Sequence, residues 1–434
     1  MTARSCGGRL HPASDFRRSL RPPPSQLSGA CVYNSVGRLH AAGELDMLAR
    51  MSLKSQSIRQ ANTTEPLGNA VLGEFPLLIG FVSAAIFFAA GSQLVEIVGH
   101  PVVLIVVFIW LFVVIVWSAI CVVRHADCLA IKLGEPYGTL ILTLSAISIE
   151  VVMISTAMLH GANNPTLGRD AVFAVIMIAL NGLVGLALLM GGLRHGEQYY
   201  NLQGVNSYLN VIMTLAVLGL VLPVFTTSTG GPTFSTEQSI FLVATSLLLY
   251  GIFLLIQTVR HRYYFLESKD TVVEGEPAHH SLKVRSITFH ATMLLLYLLA
   301  VILLAEKFAI PLDNSIEQFH MPQEFGGAII AVLVLSPEGL GAIRASLHNH
   351  LQRSINILLG SVLATIGLTI PAVLTIGLIT KRTVTLGVQG GNLPLLLLTL
   401  AVSVVTFTSR KTNVLQGCIH LLLFAVFALL IFAP

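Results

Sequence analysis

Charge is scarce in this sequence. Only 11% of its 434 residues are Asp, Glu, Lys or Arg, against about a quarter in an ordinary soluble domain. With 54% hydrophobic residues and a mean hydropathy of +0.80, a water-soluble fold is excluded. Cysteine is sparse and unpatterned: Cys6, Cys31, Cys121, Cys128 and Cys418 are odd in number and form no C-x-x-C pair, which argues against a zinc site or a disulfide framework and leaves inert thiols. Two signatures are missing as well. There is no H-E-x-x-H for an intramembrane metalloprotease and no G-x-x-x-x-G-K-[ST] for nucleotide-driven pumping. No enzyme activity, no cofactor and no nucleic-acid partner is expected, so any transport must draw on an ion gradient.

What is present is long apolar runs. Stretches of about 20 residues, enough to cross a hydrocarbon core of about 30 Å as a helix, recur from Phe75 to Phe432. Barrel strands would alternate apolar and polar residues instead. The sequence therefore predicts an all-α membrane protein with about eleven spans, over 75–94, 100–122, 137–160, 171–192, 207–227, 237–260, 286–308, 323–347, 353–378, 390–409 and 414–433. The organisation read from these is a basic, disordered extension over 1–68 and an extra first helix over 69–98. A first repeat over 99–260 follows, then a cytoplasmic loop over 261–285 and a second repeat over 286–434. The extension, with Pro22-Pro23-Pro24 and many arginines, has no sustained apolar period; translation from Met47 or Met51, or a targeting extension without an apolar signal-peptide core, are alternative readings of it.

Basic residues orient the spans, because Lys and Arg collect in cytoplasmic loops. If the N-terminus is inside, the outer loops hold only Arg169, Lys307, Lys381 and Arg382 of the 25 basic residues. An odd number of spans then leaves the C-terminal Pro434 outside, which is the periplasm if the membrane is a bacterial inner membrane.

Two acids fall near mid-span, Glu150 in Leu142-Thr-Leu-Ser-Ala-Ile-Ser-Ile-Glu150 and Glu338 in Leu335-Ser-Pro-Glu-Gly339. An acid at bilayer depth costs about 2.5 to 3.5 kcal/mol on insertion scales, so it is seldom kept without a role. Their contexts match: the segment from Arg169 through Asn181 lies on that from Arg353 through Thr365 without a gap, placing Asn181 opposite Thr365. Five spans per half give the halves opposite topology, an arrangement that sets a substrate site at mid-membrane between the repeats. Pro337 beside Glu338 is expected to interrupt its helix; the first repeat has no proline there, and a break near Glu150 would rest on Gly138 or on the neighbouring serines and threonine, or not exist at all.

The candidate ligands are oxygens. Two carboxylates, with hydroxyls from Thr143, Ser145, Ser148, Ser336 or Thr365 and the amide oxygen of Asn181, form a hard shell suited to Ca²⁺. Each serine or threonine has the competing option of bonding back to its own helix. Empty and fully ionised, such a site would carry two negative charges where buried charge is penalised. It is therefore expected to hold either a divalent cation or protons when it changes sides, which describes an exchanger.

At Gly134–Glu150, at Met190-Gly-Gly-Leu-Arg-His-Gly-Glu-Gln-Tyr-Tyr-Asn201, and at Leu335–Arg344 running on to Gly360-Ser361 and Pro371, the sequence resembles the calcium/cation antiporter superfamily, in its bacterial calcium/proton antiporter ChaA branch. The resemblance runs over roughly 70–434. It implies eleven helices, two inverted five-helix repeats after an extra first helix, and one coupling glutamate per repeat, which here fall on Glu150 and Glu338. The Gly-Asn pair usual before the acid in wider cation/proton exchangers is replaced by Ala-Ile-Ser-Ile and Val-Leu-Ser-Pro, so the cargo stays open. Ca²⁺/H⁺ exchange is the first expectation, Na⁺(K⁺)/H⁺ exchange by the same mechanism the second, and a non-transporting scaffold with structural acids the third. The partners expected are small inorganic cations and the lipid bilayer.

Two polar segments complete the reading. The 261–285 loop carries Glu267, Asp270, Glu274, Glu276, His279 and His280 without EF-hand spacing and reads as a solvated loop rather than a regulatory cation site. Residues 124–134 read as either an interfacial amphipathic helix or an ordinary linker.

Overall fold

The computed structural model describes residues 74–91, 99–133, 137–160, 165–266 and 285–433. The 1–68 extension and the acidic part of the 261–285 loop, from Glu267 to His280, lie outside the described residues.

Among the described residues eleven long apolar helices follow in order: α1 (Phe75–Ala90), α2 (Pro101–Leu133), α3 (Tyr137–His160), α4 (Leu167–His195), α5 (Leu202–Phe225), α6 (Thr236–Arg260), α7 (Ile287–Gln318), α8 (Glu324–Leu347), α9 (Leu351–Thr380), α10 (Asn392–Thr406) and α11 (Val414–Phe432). In lipid every backbone amide and carbonyl must be satisfied within the segment, which is why uninterrupted apolar runs become helices. Their ends are closed by side chains: Ser235 with Gln238 and Asn413 with Gln416 form capping boxes, and Asn201 and Ser286 cap α5 and α7. Apolar side chains such as Val102, Val106, Ile109, Trp110 and Val113 stand exposed along α2, the surface a helix offers to lipid. The protein is a multi-pass membrane protein.

Two helices outrun their expected spans. α2 continues unbroken to Leu133, so residues 124–133 are neither an interfacial helix nor a linker; His125, Ala126, Cys128 and Leu129 are buried there. α7 runs past 308 to Gln318 with Pro311 inside it. At 1.5 Å per residue each is about 50 Å long. Polar residues lower the hydropathy of both extensions, yet each extension buries part of its length in the bundle, His125 and Ser315 included, and this is what the hydropathy window cannot register. The expected interruption at Pro337 is also absent: α8 passes straight through it, and the cost is confined to the Leu333 carbonyl, which loses its amide donor four residues on. α3 is continuous as well.

Where the helical ladder does change is in α4, α5, α6 and α9, which turn π-helical over Met177–Leu183, Val217–Val221, Ile256–Arg260 and Thr365–Thr369. Pro223 and Pro371 follow the second and last of these closely and deny a carbonyl four residues back its usual donor, favouring the wider turn. α4 has no proline there.

The inverted repeat is visible in the loops. On one end the α4–α5 connection pairs with the α10–α11 connection as a two-stranded ribbon, β1 (Gln198–Tyr199) against β2 (Lys411–Thr412). On the other end the α9–α10 connection meets the α5–α6 connection through a Thr385–Thr233 bridge. The same two pairings recur at opposite ends of the bundle with the halves exchanged, as α2–α6 and α7–α11 of opposite topology require.

Most buried apolar residues among those described fall into two cores, with a small separate cluster around Leu104. One gathers α4, α5, α6, α9, α10 and α11; the other gathers α1, α2, α3, α7 and α8. Each core draws on both repeats, and α3 and α8 contribute to both, along the seam between them.

Candidate functional site

Glu150 and Glu338 sit just past the middle of helices of equal length, α3 and α8, 24 residues each. Both line one cavity of about 400 Å³ between the two cores. Each carboxylate keeps one buried oxygen, Glu150 Oε1 and Glu338 Oε2, without a hydrogen-bond partner. Buried polar atoms are nearly always partnered, so two such oxygens in one cavity describe a place for a cation or for protons.

The two acids are held differently. Thr365, in the π-helical stretch of α9, donates its hydroxyl to Glu150 Oε2 at 2.7 Å. By the repeat, Asn181 of α4 should stand toward Glu338 as Thr365 stands toward Glu150. It does not. Asn181 is fully buried, donates to Thr399 at 2.8 Å, and faces His420 Nδ1 at 3.3 Å, so the structure ties it to α10 and α11 and leaves it off the cavity wall.

The other expected hydroxyls stay with their own helices. Ser145, Ser148 and Ser336 donate to Ile141, Leu144 and Val332 four residues back, at 2.7, 2.6 and 2.5 Å, and none of the three lines the cavity. The structure thus separates them from the carboxylates: the carbonyl one turn back is always in reach and competes with any site across the bundle. The Thr143 side chain lies outside what is described. Among the described residues no group of three or more His, Cys, Asp or Glu side chains is arranged to hold a metal, so the site is a pair of carboxylates with Thr365 and space for water.

Asp127 was not singled out by the sequence. It lines the same cavity from α2 and lies within electrostatic range of Glu338. The signal that would have found it is the continuity of α2, which carries this residue into the bundle. Tyr208 of α5 and Gln257 of α6, joined at 2.7 Å, add polar groups to the wall, and the exposed Arg262 and Arg353 mark the mouth. That mouth is at the end where basic residues gather. Toward the opposite end the helices close: Met153, Ile154 and Met158 of α3, and Ile370, Val373 and Leu374 of α9, are all buried. Among the described residues, the cavity lining runs from the glutamates toward the mouth marked by Arg262 and Arg353.

A family model described as sodium/calcium exchanger protein matches residues 103–259 and 289–433, two stretches that fall on α2–α6 and α7–α11. The putative ionic transporter y4hA of Sinorhizobium fredii is 44% identical over 312 residues, 72% of this chain and 84% of that protein. The sodium-potassium/proton antiporter ChaA of Escherichia coli K12 is 41% identical over 311 residues, 71% of this chain and 84% of that protein. Among solved structures, native YfkE is similar with a TM-score of 0.61 at 19% identity, covering 81% of this chain and 100% of that one. The H⁺/Ca²⁺ exchanger CAX is similar with a TM-score of 0.61 at 15% identity, covering 82% and 88%. At those identities the structures speak for the fold.

Proposed function

We propose, from the premise that this chain belongs to the sodium/calcium exchanger family and from the two glutamates that share its cavity, that it exchanges Ca²⁺ for protons across a bacterial inner membrane by alternating access. The observation that carries this reading is the pair of unpartnered buried carboxylate oxygens, one from each repeat. Charge does the coupling. With both carboxylates ionised the site bears two negative charges, which a water-poor surrounding penalises heavily; one divalent cation or two protons bring it to neutrality. The loaded site can then pass from one side to the other, while the empty, charged site cannot. Exchange follows from that exclusion.

Each residue has a part in this reading. Glu150 and Glu338 bind the cation or carry the protons, and Thr365 holds the Glu150 carboxylate in place. Asp127 adds negative charge at the approach to Glu338. The two cores, which meet along α3 and α8, shift against one another so that the packed end opens and the open end packs. By the distribution of Lys and Arg, the open end is cytoplasmic, the N-terminus lies inside and the C-terminus outside.

A second reading keeps the mechanism and makes Na⁺ or K⁺ the cargo, with one glutamate protonated beside a monovalent ion; the name of the Escherichia coli relative favours it. Inverted vesicles with an imposed pH gradient separate the two. Proton efflux on adding Ca²⁺ supports the first reading, and efflux with Na⁺ or K⁺ but not Ca²⁺ replaces it with the second. No efflux with any of the three removes both.

A further inference from the structure

A second polar cluster lies at the same end of the bundle as the cavity mouth but outside the cavity. His125 of α2 and His290 of α7 are almost wholly buried, with their Nδ1 atoms 2.9 Å apart. The Arg285 backbone N–H donates to His290 Nε2 at 2.9 Å. Glu74, which precedes α1, accepts at one oxygen, Oε2, from Arg124 at 2.6 Å and from Tyr297 at 2.9 Å, and His125 Nε2 lies 3.3 Å from that oxygen.

This geometry fixes the protons. A backbone N–H only donates, so His290 Nε2 is bare and, in a neutral ring, Nδ1 carries the hydrogen. His290 Nδ1–H then donates to His125 Nδ1, which must be bare in turn. His125 therefore carries its hydrogen on Nε2, pointing at Glu74. Arg124 Nη2 lies 3.3 Å from that nitrogen, and both are donors converging on the shared Glu74 oxygen. One directed chain, Arg285 to His290 to His125 to Glu74, links α7, α2 and α1.

The chain has no room for another proton on either ring. A proton on His290 Nε2 would face the Arg285 N–H, and one on His125 Nδ1 would face the His290 Nδ1–H, two donors at 2.9 Å in each case. One of these contacts must open when a proton is taken up. His125 is the better acceptor, because its imidazolium would remain beside the Glu74 carboxylate, whereas His290 has no carboxylate at bonding distance among the described residues. The titratable and charged groups facing the pair are Glu74 from just before α1, Arg124 and Lys132 from α2, and Arg285 and Tyr297 from the α7 side. Glu74 favours the added proton, and Arg124, Lys132 and Arg285 oppose it.

We propose that Glu74, His125 and His290 form a regulatory proton-binding site, distinct from the transport glutamates, that latches α7 to α2 when both rings are neutral and releases α7 when His125 takes up a proton. α2 and α7 are the corresponding long helices of the two repeats, and Glu74 comes from the one helix outside the repeats, so the latch exists at one end only. It holds the open end together at neutral and alkaline pH. Proton uptake on that face frees α2 and α7 to rearrange and speeds turnover. The effect on transport rests on the exchanger reading; the proton positions do not.

Glutamine imitates each neutral ring, with an oxygen to accept and an N–H to donate, and does not titrate between pH 5 and 8 as histidine does. Two measurements test the site. ¹⁵N-histidine NMR of the protein in lipid nanodiscs near pH 8 should find His290 protonated at Nδ1 and His125 at Nε2; the opposite tautomers overturn the proposal. The exchange rate of wild type should then show a severalfold rise as cytoplasmic-face pH falls from about 8 to about 5, a step that the His125→Gln/His290→Gln variant lacks while keeping the wild-type rate at pH 8. Superimposable profiles overturn it too. Should that variant fail to fold, Glu74→Gln must move the step to lower pH, and an unmoved step refutes the site. A wild type without exchange activity would count against the proposed function, and the tautomers would still decide the latch.

Discussion

The Thr365 hydroxyl, on α9 in the second repeat, is bonded to the Glu150 carboxylate on α3 in the first at 2.7 Å, while its counterpart Asn181 has turned away to Thr399. The two cavity carboxylates are therefore unequal: among the described residues, one accepts from a donor in the opposite repeat and the other does not. Thr365→Val removes the donor at nearly constant volume. A hydrogen bond to a charged group contributes about 1.5–3 kcal/mol, so the cation concentration for half-maximal exchange should rise about tenfold or more while the protein inserts normally. An unchanged value in vesicle exchange assays would separate Thr365 from ion binding.

Removing either carboxylate should be far more severe. Glu150→Gln and Glu338→Gln each leave a single charge that no longer matches a divalent cation or a pair of protons. Exchange should fall by at least about a hundredfold, equivalent to ~3 kcal/mol, with normal expression and melting behaviour. Full transport in either variant would reduce that acid to a structural role.

Asp127→Asn should act on one face only. The residue lines the wall of the open cavity and lies near Glu338 without sharing its place at mid-helix, so the variant should bind cations severalfold more weakly from the open side and keep its maximal rate. Measuring exchange with substrate presented to each face in turn checks this; equal losses on both faces would contradict the placement.

Close helix contacts give a stability prediction. A Cβ on Gly327 of α8 would lie 2.6 Å from the Ala171 amide nitrogen of α4, and one on Gly417 of α11 would lie 2.6 Å from the Leu189 amide nitrogen of α4. Small residues let membrane helices approach backbone to backbone. Gly327→Ala and Gly417→Ala should each destabilise by about 1–3 kcal/mol, read as a lower melting temperature in detergent. Gly251→Ala, with nothing within 4 Å of the added carbon, should not.

Glu74 sets an acid limit. Burial acts to raise its pKa, but the hydrogen bonds from His125 and Tyr297 and the Arg124 charge outweigh it, leaving the carboxyl below its ordinary value. A group depressed in this way stabilises the folded state above the unfolded value of about 4.3, and that contribution is lost as pH falls through the lower folded value. The melting-temperature difference between wild type and Glu74→Gln should therefore be present above about pH 5 and shrink at more acid pH; a constant difference would contradict the assignment.

Much of this was legible in the sequence because lipid makes hydropathy a strict rule. The 137–160 span coincides with α3, and the gapless alignment that set Asn181 opposite Thr365 falls on the π-helical stretches of α4 and α9. What escaped was where side chains point. Pro337 left α8 intact, and Ser145, Ser148 and Ser336 chose the carbonyl one turn back. Asn181 found partners on α10 and α11 that no local pattern announces. Asp127, His125 and Glu74 lie beyond or before the apolar runs, and the first two are carried into the bundle by α2 continuing past the end that hydropathy gives it.

The most direct test of the central claim is to count protons released when a cation binds. Purified protein in weakly buffered detergent, titrated with Ca²⁺, and separately with Na⁺ or K⁺, should release protons as the cation binds, and either Glu150→Gln or Glu338→Gln should reduce that release and weaken binding. Cation binding without proton release, or release unchanged in both variants, would show that these carboxylates do not share one site for cation and proton.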